Sequence, residues 1–273
     1  MAGGVSVLAL AVLAQGAIAV GGAGAEGLAG EAAVFNECPR LTTGVNFCIY
    51  AKTVGGAMRL GQRTVPIEAP FVLQAGDIQN ENVEPWSETM VGALNGETLS
   101  RGRQRVPGGL LGLPLYATLE LAAPAGAIGF SASNFVNQEG VAVSLPVKIH
   151  LENLLLGGEC YIGTRVKPIV LNFTTGETSP DAPNTPIAGT LGDEKAYDLS
   201  DGLRVDEATG ARLVDNAFSA PAATGCGGSQ VSALVDQVID YQLGLPSPDG
   251  RNMAIENLDL LRATAEDVIK AER

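Results

Sequence analysis

The chain has 273 residues, of which 17 are lysine or arginine and 30 are aspartate or glutamate, so its formal net charge is −13. A surface this acidic lacks the electrostatic footprint that nucleic acids and anionic membranes require. The hydrophobic content of 46% excludes a disordered chain, and the 35 glycines follow no triplet period of the collagen kind. The composition therefore predicts a folded protein that does not bind nucleic acid.

Residues 1–25 contain no charged side chain and include an apolar run over 5–14. Small residues in the A-x-A pattern of signal peptidase follow at Ala17-Ile18-Ala19 and Ala23-Gly24-Ala25. No basic residue precedes the run, and an uncleaved anchor is the competing interpretation, because residues 5–23 approach the length of about 20 residues that a membrane span needs. Gln15 and the many glycines favour cleavage. We therefore expect a signal peptide over 1–25 and one β-rich secreted or cell-surface domain over 26–273, without a transmembrane span.

The four cysteines agree with export, because an even number in a secreted chain is typical of disulfide bonds. Symmetry favours a bond between Cys38 and Cys48, since both are equidistant from Thr43 in a turn-like stretch, where a hairpin would set them opposite each other. Cys160 and Cys226 form the second pair, each beside two glycines that permit close backbone approach. A zinc site is the alternative, but the cysteines have neither C-x-x-C spacing nor histidine partners.

Segments that alternate between apolar and polar side chains dominate the rest of the chain. Residues 113–121 and 141–151 alternate most clearly, which is typical of strands with one wet face. Further strands are predicted over 45–51, 58–67, 71–73 and 168–173, and a hairpin is predicted over 203–215 with its turn at Ala208-Thr209-Gly210. Strands about a dozen residues apart, separated by glycine and proline, are typical of an antiparallel β-sandwich or a barrel-like domain.

The C-terminal part of the chain predicts two helices. Over 229–243 an apolar stripe recurs at helical spacing, which predicts one amphipathic helix. We interpret this stripe as a core contact and expect the polar residues to face away. The stripe consists of Val231, Leu234, Val235, Val238 and Ile239, and the polar residues are Asp236, Gln237 and Asp240. A final strand is predicted over 253–261 and a short acidic helix over 263–272. The predicted fold class is mainly β.

Side chains suited to catalysis are sparse. The single histidine, His150, lies on the polar side of the strand over 141–151, where we interpret it as a solvent-facing residue. A serine or cysteine nucleophile would need this histidine, but no G-x-S-x-G elbow is present. Glu120 and Glu152 project from the wet faces of two strands and are the least arbitrary pair for a glycosidase. We assign no catalytic, cofactor-binding or metal-binding residue and predict neither a cofactor nor enzymatic activity.

An acidic stretch between 193 and 207 is a candidate for calcium binding, because secreted acidic β-proteins often bind Ca²⁺. It contains Asp193, Glu194, Asp198, Asp201, Asp206 and Glu207. These residues lack the alternating spacing of oxygen ligands in an EF-hand loop. We therefore interpret the stretch as a solvated loop that adds net charge.

Several short stretches are distinctive, and the one around Cys160 is the most specific. They are KIHLENLLLG at 148–157, CYIGT at 160–164, LNFTTG at 171–176, LVDNAF at 213–218 and GLPSP at 244–248. Together they resemble uncharacterised exported proteins of actinobacteria. The resemblance implies an exported, disulfide-bonded protein, and it brings no catalytic residues.

Three classes of function remain. The favoured class is an exported cell-surface or secreted structural or binding protein, which recognises a cell-envelope or extracellular partner through loops and exposed strand faces. The alternative is an envelope-associated carrier or pore for an apolar ligand, to which the glycine-rich apolar stretch over 108–115 would contribute. An extracellular hydrolase without a recognised motif is the third. The cysteines and the lack of a catalytic constellation favour the first class.

Overall fold

A computed structural model describes residues 27–80, 88–200, 202–228 and 231–272. The predicted signal peptide over 1–25 lies outside these residues. The fold is mainly β, as predicted. Among the described residues, the strands are β1 (Phe47–Leu60), β2 (Arg63–Pro66), β3 (Val72–Gln79), β4 (Glu88–Gly92), β5 (Arg103–Leu110), β6 (Leu113–Leu121), β7 (Gly129–Phe130), β8 (Val143–Glu152), β9 (Tyr161–Ile162), β10 (Ile169–Phe173), β11 (Asp193–Asp198), β12 (Arg204–Asp215), β13 (Ala223–Thr224) and β14 (Met253–Thr264). The helices are α1 (Ala132–Asn137), α2 (Ser232–Leu243) and α3 (Ala265–Ala271), with 3-10 helices at Gly30–Phe35 and Ala125–Ala127.

The strands form one antiparallel sheet of 14 strands. Its main path runs β11-β12-β14-β1-β3-β4-β7-β8-β6-β5, and β10 pairs with β8 on a branch. The sheet curls back on itself, because Thr174, directly after β10, exchanges two backbone hydrogen bonds of 3.0 Å with Val214 of β12. The strands therefore surround an interior, in agreement with the predicted sandwich-like or barrel-like domain.

Side chains on the inner face of this sheet form the main hydrophobic core. In β8 the inner residues Leu145, Val147, Ile149 and Leu151 are buried and alternate with half-buried outer residues. Burial of each such side chain contributes roughly 1.5–3 kcal/mol. A shift of one residue would place all four in solvent, so the alternation determines the register of the strand.

A second, smaller core covers the outer face of β1, β12 and β14. The 3-10 helix Gly30–Phe35 contributes Phe35, and α3 contributes Val268. The hydroxyl of Thr264 accepts the backbone N–H of Asp267 at 3.1 Å and thereby caps α3. The predicted short C-terminal helix is present, and it packs against the sheet.

The predicted hairpin over 203–215 is wrong. This segment is the single strand β12, which pairs with β11 on one side and with β14 on the other. Gly210, with a φ of +68°, lies where the register with β14 shifts between Ala208 and Ala211, which is a β-bulge. A glycine in the left-handed region permits either a turn or a bulge, and the two neighbouring strands favour the bulge.

Six strands, β4, β5, β7, β9, β11 and β13, have no counterpart among the predicted elements. The glycine-rich stretch over 108–115 forms the turn of the hairpin between β5 and β6. Leu111 and Gly112 have positive φ values of 49° and 81° at this turn. One apolar residue of this stretch, Leu110, packs in the core, whereas Leu111 lies in an exposed turn.

Helix α2 is present as predicted, but its orientation differs from the prediction. Ile239 and Leu243 are buried, whereas Leu234, Val238 and Tyr241 are exposed. The predicted core stripe therefore packs only in part. The physical reason lies in two carboxylates of the helix, which accept backbone hydrogen bonds and so face the protein. Asp236 Oδ1 accepts the N–H of Cys226 at 2.8 Å, and Asp240 Oδ1 accepts the N–H of Ala223 at 2.7 Å.

Candidate functional site

The outer face of β5, β6, β8 and β9 carries an array of polar and aromatic side chains. Register places Tyr116 opposite Glu152, Thr118 opposite His150, and Glu120 opposite Lys148. Their neighbours along the strands pack into the core, so these side chains project from the other side of the sheet. We call this surface the outer polar face. It consists of Arg103, Arg105, Tyr116, Thr118, Glu120, Lys148, His150, Glu152 and Tyr161.

Four charged side chains of the outer polar face are paired with each other. Lys148 Nζ lies 2.8 Å from Glu120 Oε2, and both side chains are less than 20% exposed. Arg103 Nε donates to Glu152 Oε2 at 2.7 Å, in a more exposed pair. Because water screens the second pair more strongly, it contributes less to stability than the first. These two cations and two carboxylates cancel, and Arg105, opposite Tyr116 in register, adds one positive charge to the face.

The aromatic rings of this face are ordered by contacts with the same side chains. Lys148 Nζ lies 3.9 Å from the centroid of the Tyr161 ring, and Arg103 Cζ lies 3.5 Å from the centroid of the Tyr116 ring. His150 stacks on Tyr161 with 4.7 Å between the ring centroids. Each cation–π contact contributes roughly 0.5–1 kcal/mol at an exposed site. These contacts order the side chains of the face, and ordered side chains lower the entropic cost of any binding event.

The candidates from the sequence, His150, Glu120 and Glu152, thus lie together on one face. His150 Nδ1 is 4.0 Å from Glu120 Oε1, and its Nε2 is 3.1 Å from the carbonyl oxygen of Gly158. The two glutamates are each engaged by a different cation. The geometry is that of a polar surface in which neighbouring cations hold both carboxylates.

The structure contains disulfide bonds between Cys38 and Cys48 and between Cys160 and Cys226. These are the pairs that the sequence argument favoured, although the first bond does not join two strands of a hairpin. Cys38 follows the 3-10 helix Gly30–Phe35, and its N–H donates to the carbonyl of Phe35. Turns between 39 and 45 then bring the chain into β1, where Cys48 lies 5.5 Å away between Cα atoms.

The acidic stretch predicted as a loop is largely strand. Asp193 and Glu194 lie in the exposed edge strand β11, and Asp206 and Glu207 lie in β12, whereas position 201 falls outside the described residues. In the part of the chain that the structure describes, no group of three or more acidic, histidine or cysteine side chains is arranged to hold a metal ion. Charges on an edge strand instead hinder its pairing with a strand of another chain.

Inside the sheet are two adjoining cavities that the sequence does not predict. The first has a volume of about 80 Å³ and the second about 60 Å³. Phe71 and Glu256 border both cavities. The other side chains that line them are mostly aliphatic or aromatic, for example Leu151 in the first cavity and Met90 in the second. The interior therefore contains a small apolar space whose two parts are both bordered by one carboxyl group, that of Glu256.

Glu256 lies on the inner face of β14, between Gly56 of β1 and Leu213 of β12. Its side chain is buried, with a relative exposure of 6%. Among the described residues, none forms a hydrogen bond or an ion pair with its carboxyl group. Burial raises the pKa of Glu256 from 4.5 to about 8, since nothing compensates the charged form.

A second buried acidic group lies at one end of the interior, where Arg262 Nη2 is 3.2 Å from Asp77 Oδ2 and 3.4 Å from Glu88 Oε1. Burial and, to a smaller extent, the nearby carboxylate of Glu88 raise the pKa of Asp77 to about 7, against the attraction of Arg262. Burial also raises the pKa of Glu88. Arg262 also packs on the ring of Phe47 and borders a groove of about 350 Å³ between α1 and strands β11 and β12.

Sequence reasoning missed both buried acidic sites, although a signal for them is present. In β14, Glu256 shares its phase of alternation with Ala254 and Leu258, which are buried. In β3, Asp77 shares its phase with Ala75, which is also buried. An acidic residue in the apolar phase of a strand indicates a buried carboxyl group, whereas the prediction considered only acids in the polar phase.

Comparison of the chain with models of protein families, with curated proteins and with solved structures gave no match. Within residues 27–80, 88–200, 202–228 and 231–272, no helix combines the length and the hydropathy that a membrane span requires.

Proposed function

We propose that this chain is an exported protein of the cell surface or the extracellular space, which acts by binding and uses the outer polar face for recognition. The observation that carries the proposal is the ordered array on that face, in which Lys148 pairs with Glu120 and Arg103 pairs with Glu152. Export is supported by the two disulfide bonds, because such bonds persist in oxidising compartments. The uncharged, apolar residues 1–25 are the proposed signal peptide, and the resemblance to exported actinobacterial proteins agrees with this location.

The chemistry of the face indicates what kind of partner it fits. Its two carboxylates neutralise two of its three cations, so the face carries little net charge, and the net charge of −13 of the whole chain repels anionic polymers. Its hydroxyl, imidazole and carboxylate groups offer hydrogen bonds, and its tyrosine rings offer apolar edges. A neutral, hydroxyl-rich polymer of the cell envelope, that is a polysaccharide, matches this combination.

Co-sedimentation with an insoluble, neutral cell-wall polysaccharide tests the proposal. We expect the parent protein to sediment with it and the double variant Tyr116→Ala/Tyr161→Ala to lose at least tenfold in apparent affinity. Tyr241→Ala is the matched control, because Tyr241 is 86% exposed on α2 and lies outside the face. Equal binding by the parent and the double variant, or sedimentation of neither, would exclude the outer polar face as a polysaccharide site.

A carrier for an apolar ligand is the second candidate, and a specific observation favours it. The interior of the sheet holds two adjoining apolar cavities instead of a fully packed core. Their volumes restrict this candidate to small ligands, because ordinary ligand pockets have roughly 300–1,000 Å³.

A further inference from the structure

Glu256 places a carboxyl group in the apolar interior, where it does not stabilise the fold. A buried polar group without a hydrogen-bonding partner costs on the order of 1–3 kcal/mol, and an ionised one costs more. The inner-face neighbours of Glu256 along β14 are Ala254 and Leu258, so an apolar residue would suit this position. An unsatisfied buried group with a perturbed pKa calls for an explanation, and a role in a functional site is one such explanation.

The other polar side chains that line the first cavity are already engaged. The guanidinium group of Arg63 donates to the carbonyl oxygens of Gln242 and Pro107, at 3.4 Å and 3.3 Å. The amide of Gln104 accepts from two backbone N–H groups through its oxygen and donates to the carbonyl of Ala69 through its nitrogen. The carboxyl group of Glu256 is therefore the polar group of this cavity that the described residues leave for a ligand.

Charge and size then define the ligand. Neither Arg63 nor another described residue forms an ion pair with Glu256, so the complementary positive charge must come from the ligand. The net charge of −13 raises the local concentration of small cations near the protein. The two adjoining cavities, of about 80 Å³ and about 60 Å³, together approach the volume of an apolar cavity of about 150 Å³ that binds benzene. The cavity volumes therefore favour a ligand with a short hydrocarbon body, and the unpaired carboxyl group favours one with a basic nitrogen.

We propose that the interior of the sheet binds a compact apolar amine, whose ammonium group pairs with the carboxylate of Glu256 while its hydrocarbon part fills the adjoining cavities. An ion pair formed in this apolar interior is stronger than the same pair in water. The buried charge of the amine is matched there, so the pair favours amines over neutral molecules of the same shape. The site is separate from the outer polar face, and either proposal can fail without the other.

Benzylamine and its neutral analogue benzyl alcohol are suitable probes. Titration calorimetry at pH 8 should give an affinity for benzylamine that falls at least tenfold in Glu256→Gln, whereas the affinity for benzyl alcohol changes by less than about twofold. Glu139→Gln is the matched control, because it removes the same charge from an exposed turn and should leave both affinities unchanged.

The methionine methyl groups report where the probe binds. Met58 borders the first cavity and Met90 the second, whereas Met253 borders neither. In ¹H–¹³C spectra, benzylamine should shift the first two signals and leave the third unchanged. An affinity for benzylamine that is equal in the parent and in Glu256→Gln would overturn the proposal, and so would the lack of any shift of Met58 and Met90 at 10 mM benzylamine.

A measurement on the parent protein keeps the proposal falsifiable even if Glu256→Gln fails to fold. Because the pKa of Glu256 is raised to about 8, the carboxylate is scarce at pH 5 and abundant at pH 8. Arg63, the other charged residue that lines the first cavity, stays cationic over this range. Benzylamine should therefore bind at least tenfold more tightly at pH 8 than at pH 5, and benzyl alcohol equally at both. A pH-independent affinity for benzylamine would contradict the ion pair.

Discussion

The carboxyl group of Glu256 makes the stability of the protein depend on pH. Its pKa is about 8 in the folded protein and about 4.5 in an exposed side chain. Between these values the folded state holds a proton that the unfolded state has released, so the free energy of unfolding falls as the pH rises through this window. At pH 4 the group is protonated in both states, and its penalty is smallest.

We therefore expect Glu256→Gln to be more stable than the parent protein at pH 9, by on the order of a few kcal/mol, and nearly equal to it at pH 4. The amide has the same shape but no charge, so it removes the pH-dependent part of the penalty. Urea unfolding at several pH values measures the difference. The control Glu139→Gln should follow the parent curve, and a Glu256→Gln curve parallel to that of the parent would contradict a raised pKa.

Particular residues show how far the sequence determines such a site. The strand over 253–261 was predicted, and its alternation already places Glu256 in line with Ala254 and Leu258. The cavities could not be predicted, because they depend on how side chains from β1, β6, β8 and β14 meet across the interior. Alternation thus indicates which residues point inward. The volume left between these residues depends on long-range packing, which cannot be predicted from one sequence.

At the scale of the elements, the same distinction applies to helix α2. Its period and its end at Gly244 follow from local rules, and both were predicted correctly. Its orientation depends on two backbone N–H groups in the segment before the helix. Asp236 accepts the N–H of Cys226, and Asp240 accepts the N–H of Ala223. The hydrophobic stripe alone favours the opposite side. Strand pairing likewise determines that residues 204–215 form one strand and not a hairpin, because β11 and β14 both pair with this segment around Gly210.

We expect Asp236→Ala to lower the free energy of unfolding by about 1–2 kcal/mol, because the N–H of Cys226 loses its acceptor. Gln237→Ala is the control, since Gln237 is the next residue on the exposed side of α2 and its replacement by alanine slightly favours the helix. Chemical unfolding of both variants gives the comparison. If the two variants have the same stability, the carboxylate of Asp236 does not hold the helix in this orientation.

For the molecule as a whole, the two disulfide bonds constrain the unfolded chain to different extents. The bond between Cys38 and Cys48 closes a loop with a sequence separation of 10, and the bond between Cys160 and Cys226 closes one of 66. In the chain-entropy model these loops correspond to about 2.7 and about 4.3 kcal/mol of stabilisation. The second bond joins Cys160, directly before β9, to Cys226, which follows β13 and precedes α2. It therefore links parts of the sheet that are far apart in the chain.

Comparison of the double variants Cys38→Ala/Cys48→Ala and Cys160→Ala/Cys226→Ala tests this difference. All four cysteines are buried, so the two variants leave cavities of similar size and differ mainly in loop length. The variant without the larger loop should be less stable by roughly 1–2 kcal/mol in denaturant unfolding. In the reduced parent protein both contributions should be lost together. If removal of the short loop costs more than removal of the long one, strain or local packing at Cys38 and Cys48, not the entropy of the unfolded chain, determines what the bonds contribute.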